Sequence, residues 1–152
     1  MYKLRFYFSK ADEVKYVGHL DTIELFDRAF RRAKLPISFS EGFNPRPKLT
    51  FAHPLAVGIS SNEEIGEVEL SEKISEQDFI SKLNGALPNP IRIIKAEYVE
   101  EKKSLMSLVK SAEYTLQIDD DFVSSDNIEE MLNKASIEIE KTSKSGKKSI
   151  VD

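Results

Sequence analysis

Five of the six arginines (Arg5, Arg28, Arg31, Arg32 and Arg46) and both histidines fall within the first 53 residues. Arg28, Arg31 and Arg32 stand within little more than one helical turn. Arg46 ends, and Lys48 follows, a loop, Glu41-Gly42-Phe43-Asn44-Pro45-Arg46-Pro47, that can fold back toward that turn. Guanidinium forks grip phosphate or carboxylate in two hydrogen bonds, a reason to find Arg rather than Lys here. Phe39, Phe43 and Phe51 stand beside these charges. Aromatic faces next to cations are what single-stranded RNA stacks on. The expected ligand surface is therefore Arg28, Arg31, Arg32, Phe43, Asn44, Arg46 and Lys48, for RNA or another anionic substrate. The plainer alternative makes the phenylalanines core and pairs Glu24 with Arg28 and Asp27 with Arg31 along one helix, each pair worth about 0.3 kcal/mol.

His19 and Asp21 form a second polar candidate, suited to moving a proton or holding a metal. Both roles need a further group, and His53 is the one other imidazole. The ordinary account has Asp21 capping a helix and His19 bonded to nearby backbone. No metal or cofactor is expected. The chain has no cysteine, so disulfides, thiolate metal sites and iron–sulfur clusters have no ligands. Neither a glycine-rich phosphate loop nor a nucleophile elbow occurs.

With 152 residues, 40% hydrophobic and 32% charged, the chain reads as globular, with one or two modest cores. Its start, MYKLRFYFSK, is a strand pattern and not a signal peptide, and no apolar run suits a membrane span, so the expected location is cytoplasmic. The net charge of −4 divides unevenly: residues 1–54 carry +4 and the remainder −8. A basic N-terminal part permits a local anion site but argues against indiscriminate coating of nucleic acid.

Alternation of Leu4, Phe6 and Phe8 with Lys3, Arg5 and Tyr7 predicts a half-buried strand over Tyr2 to Phe8. Leu20, Ile23, Phe26, Phe30 and Ala33 recur at helical spacing from an Asp21 cap to Leu35-Pro36. Ile37 to Ser40 reads as a strand, and Lys48 to Leu55 and Glu67 to Leu70 as strands broken around Gly58 to Gly66. Ser75 to Asp78 opens a helix with Phe79, Ile80, Leu83 and Leu87 inward, stopped by Pro88-Asn89-Pro90. Ile91 to Val99 is the last strand. The order is β-α-β-β-α-β, an α+β fold of the ferredoxin-like sandwich type over residues 1–100, with both helices on one sheet face.

Residues 101–111 read as a linker or short helix. The order then restarts over 112–152: strand Glu113 to Ile118, helix Asn127 to Ala135, strand Ile137 to Thr142, turn Ser143 to Gly146 and strand Lys148 to Val151. This is an incomplete second α+β unit, expected to be truncated. Its apolar positions Leu116, Ile118, Ile137 and Ile139 have little to cover them.

The segments GHLD, RAFRRAKLP and SFSEGFNPRPKLTFAHPLAVGISSNEE closely resemble the radical SAM-linked proteins, an uncharacterised bacterial family. The resemblance is specific over residues 2 to about 100. Gly18 stands where that family commonly has Ser. The resemblance implies a radical SAM protein as neighbour or fusion partner, and a genomic setting near ribonuclease G and ribosomal proteins. It carries no activity of its own. Three expectations follow: an accessory, non-catalytic domain that presents RNA or an anionic substrate to a radical SAM partner in RNA or ribosome modification; a protein–protein adaptor docking that enzyme without touching RNA; and a small enzyme using His19 and Asp21 on a phosphorylated substrate. A homodimer is compatible with each.

Overall fold

The computed structural model describes residues 1–100, 103–118, 125–134, 136, 139–142, 146 and 148–151. The chain divides into two compact units, residues 1–112 and 113–152.

The first unit is built on β1 (Tyr2–Lys10), α1 (His19–Arg32), β2 (Leu49–Phe51), β3 (Ser61–Leu70), α2 (Glu76–Ala86) and β4 (Ile91–Tyr98). The strands form one antiparallel sheet in the order β2-β3-β1-β4, the arrangement of a split βαβ sandwich. The period-two pattern of β1 decides its faces: Leu4, Phe6, Phe8 and Lys10 are buried, while Lys3, Arg5, Tyr7 and Ser9 look to the opposite side. Phe26 from α1 and Phe79 from α2 both meet the Phe6 ring, at centroid distances of 5.5 and 5.9 Å, so both helices cover that same face. Gly66 sits directly across from Phe6 in the β1–β3 ladder, where its bare backbone leaves room for the ring.

Several boundaries differ from the sequence expectation. Gly18, not Asp21, precedes the first turn of α1, and Asp21 lies inside that turn, where its carboxylate faces the free N–H groups of the helix start. Leu20 points out, 74% exposed, and Thr22 takes the inward place, its hydroxyl donating to the Gly18 carbonyl at 2.9 Å. Ile37 to Ser40 is not a strand. It makes two isolated bridges to different partners, Ile37 to Leu70 of β3 and Phe39 to Pro47, and Pro47 has no N–H with which to extend the second. In α2, the Ser75 hydroxyl accepts from the Asp78 N–H at 3.0 Å, the cap the sequence announces.

Residues 103–112 fall within the first unit. A single turn, α3 (Leu105–Leu108), buries Leu105 against the β2 side of the sheet. In the second unit the structure shows α4 (Ser125–Leu132) and a hairpin of β5 (Ile139–Thr142) with β6 (Lys148–Val151). Glu113 to Ile118 forms no strand: alternation supplies a face, but a strand also needs a neighbour, and Leu116 and Ile118 are exposed here. Ala135, Ile137 and most of the turn from Ser143 lie outside the described residues, as does the Ile139 side chain.

Candidate docking surface

The loop after α1 is a constructed feature. Its ends are tied by the Ser40 N–H donating to the Arg46 carbonyl at 2.8 Å and the Arg46 N–H donating to the Ser40 hydroxyl at 3.0 Å. Gly42 takes φ +121°, a value that side chains rarely tolerate, and Pro45 and Pro47 fix two more dihedrals. Pro47 anchors the loop in the protein, while Phe43 at its tip is 99% exposed. The Arg46 guanidinium meets no hydrogen-bond or ion-pair partner among the described residues, and Asn44 is exposed beside it.

The other cations read as ligand groups are engaged inside the protein. Arg28 pairs with Glu24 at 3.2 Å. Arg31 pairs with Asp27 at 2.8 Å and lies over the Phe39 ring, 4.6 Å from its centre. Arg32 donates to the Ala86 carbonyl at 2.8 Å, closing the C-terminal end of α2, and Lys48 pairs with Glu69 at 3.0 Å. Phe51 is core.

The expected surface is also divided in two. Arg46 and Lys48 border a groove of about 430 Å³ with Lys3, Thr50, Glu67 and Leu105, on the sheet face away from the helices. Arg28 and Arg32 border a depression of about 610 Å³ with Asp21, Glu24 and Leu87. The two share no residue. Acids at i,i+4 on α1 pair with Arg28 and Arg31, and Arg32 is held by the Ala86 carbonyl.

That sheet face is a lattice of charges. Glu67 accepts from Arg5 at 3.0 and 2.6 Å and has Lys3 at 3.8 Å, and Glu97 accepts from the Tyr7 hydroxyl at 2.8 Å and from Lys95 at 2.7 Å. The Lys95 ammonium, and then the Tyr7 hydroxyl, hold the Glu97 carboxyl below the usual carboxylate range. Burial, reinforced by the hydrogen bond to Glu97, pushes the Tyr7 hydroxyl up.

His19 packs edge-on to Phe51, centroids 5.9 Å apart, and Asp21 and His53 are exposed. Among the described residues no group of three His, Asp or Glu side chains suits a metal ion. A buried Lys10 and a half-buried Glu64 escaped the sequence reading. Lys10 is 3% exposed and donates to the Val17 carbonyl at 2.6 Å, and burial lowers its ammonium pKa against the pull of Glu64. Burial likewise raises the Glu64 carboxyl. Parity was the available signal, since Lys10 continues the inward row of Leu4, Phe6 and Phe8.

A family model described as "Uncharacterized protein conserved in bacteria (DUF2344)" matches residues 3–152. The chain belongs to this family. The DUF2344 match takes in both units, and with them the Phe43 loop, and the family description carries no radical SAM association. No curated protein matches the sequence. Among the described residues no helix is long and apolar enough to cross a membrane.

Proposed function

We propose that the first unit is a non-catalytic docking module that presents the Phe43 loop to a protein partner. The observation that carries this reading is the contrast between a stiffened loop with an exposed Phe43 at its tip and an unpaired Arg46 guanidinium at its end, and a basic helix each of whose arginines has a partner within the protein. An exposed aromatic beside an arginine is the pairing that dominates protein interfaces, and a loop already held in shape loses little entropy on binding. The partner implied by the sequence resemblance is a radical SAM enzyme. RNA is the second reading, favoured by the place of Arg46 at the rim of a groove that also holds Lys3 and Lys48. Affinity purification of the tagged chain from native cells, with bound proteins and RNA both identified, separates the two. Recovery of a radical SAM protein from wild type but not from Phe43→Ala supports the docking reading. Recovery of RNA without that protein, lost in Arg46→Ala, overturns it in favour of RNA.

A further inference from the structure

The two edges of the sheet are unlike. β2 is three residues long and follows two prolines, so it offers little to a neighbouring strand. β4 is eight residues long with neither Pro nor Gly. The Val99 N–H donates to the Lys3 carbonyl at 3.0 Å and Arg5 lies across from Glu97, so alternation turns the peptide groups of Val99, Glu97 and Lys95 toward β1. Those of Tyr98 and Ala96, and the Ile94 carbonyl, then point to the outer edge, whereas the Ile94 N–H, in the same peptide as the outward Ile93 carbonyl, points the other way. A register shift between Tyr7 and Phe8 adds Ile93 to that side.

Part of the edge is closed from within. The Asn84 side chain, from α2, donates to the Ile93 carbonyl at 3.0 Å and accepts from the Ile93 N–H at 2.8 Å, acting as a one-residue substitute for a strand. Ile91 is closed as well, its N–H donating to the Pro88 carbonyl at 3.0 Å. Among the described residues nothing plays that part for Ala96, Tyr98 or the Ile94 carbonyl, and the Ile94 side chain is 52% exposed.

We propose that this edge receives the β4 edge of a second copy of the chain, antiparallel about a two-fold axis at Ala96, to make a continuous eight-stranded sheet. Charge order selects this occupant and register. With Ala96 opposite itself, each Lys95 faces the other copy's Glu97 and each Ile94 faces the other copy's Tyr98, so unlike charges meet twice. Ala96 at the axis is small enough for the backbones to approach. The pairing supplies about four backbone hydrogen bonds, two between the Ala96 residues and two from Tyr98 N–H to the Ile94 carbonyl, enough for a dimer of micromolar rather than nanomolar affinity.

Sedimentation equilibrium of the full chain, from low micromolar to submillimolar concentration, tests this together with amide exchange at the two ends of that range. Wild type should pass from monomer to dimer, and the Ala96 and Tyr98 amides should gain protection only at high concentration. Lys95→Glu places like charges opposite each other twice and should weaken the dimer about tenfold. Glu97→Lys should do the same, and the double swap should restore it. Because Glu97 also receives the Tyr7 hydrogen bond, Ile94→Lys, at an exposed side chain, provides a variant whose fold is not at stake and should also weaken the dimer. A monomer at every concentration, a dimer indifferent to Lys95→Glu and Ile94→Lys, or protection that does not depend on concentration each overturns the proposal.

Discussion

Substituting Gly66 tests how the first unit is held together, because the residue lies beneath Phe6, a fully buried ring at the centre of the aromatic core. A Cβ built there would stand 2.9 Å from both Cε atoms of Phe6 and closer still to Cζ, at least about 0.5 Å inside ordinary van der Waals contact. The ring has nowhere to retreat. Phe26, Phe8 and Phe79 lie with centroids 5.5, 5.9 and 5.9 Å from it and Phe51 at 6.4 Å, and Phe6 is fully buried. Overpacking of this kind costs about 1–3 kcal/mol, and the upper half applies where four rings crowd the displaced one. Against that, Gly→Ala in an extended backbone recovers about 0.4–1 kcal/mol from the unfolded chain. Gly66→Ala should therefore cost about 2 kcal/mol, which lowers Tm by about 10 °C for a unit of this size. Urea unfolding followed by circular dichroism is the assay, since the chain has no tryptophan. Phe6→Leu should cost about 1 kcal/mol alone, and the double variant should cost little more than that, a coupling of about 2 kcal/mol. A Gly66→Ala protein within about 0.5 kcal/mol of wild type, or a double variant equal to the sum of the singles, would refute this account of the core.

Ser75→Ala removes the α2 cap and should cost about 1 kcal/mol, read as a shift in urea midpoint at unchanged m-value. Glu67→Ala deprives the partly buried Arg5 of its carboxylate and should cost about 3 kcal/mol, with Glu67→Gln milder because it keeps an acceptor. The raised Glu64 carboxyl means that the folded protein holds this proton more tightly than the unfolded chain, so the native state is favoured below the ordinary carboxylate range and that advantage is lost as pH rises through the folded value. Glu64→Gln should accordingly gain on wild type as pH rises from the ordinary carboxylate range through the folded value, and urea midpoints that keep the same difference across that rise would contradict it.

Most of the first unit was legible from the chain because its signals are local and redundant. The alternation of Leu4, Phe6 and Phe8 fixes the face of β1, and Ser75 with Pro88 brackets α2. What escaped depended on partners distant in sequence. Nothing near Ile37 says that Pro47 will be its segment's neighbour and will stop a ladder. Nothing near Glu113 says that a strand pattern there will find no partner. At the site, the sequence marked the Phe43 loop through its glycine and two prolines. It could not show that Arg46 and Lys48 would border one depression and Arg28 and Arg32 another, because that depends on how α1 crosses the sheet. The acids that satisfy Arg28 and Arg31 were visible at i,i+4 spacing, whereas the Ala86 carbonyl that takes Arg32 lies 54 residues away.

The most direct test of the docking account is calorimetric titration of the full chain with the purified radical SAM enzyme recovered from native cells, beside the same titration with a single-stranded oligoribonucleotide. The account predicts that wild type binds the enzyme and that Phe43→Ala, with its melting temperature unchanged, loses at least about 2 kcal/mol, or about 30-fold in affinity. Binding of the enzyme that is indifferent to Phe43→Ala, or binding of the oligoribonucleotide alone, would contradict it.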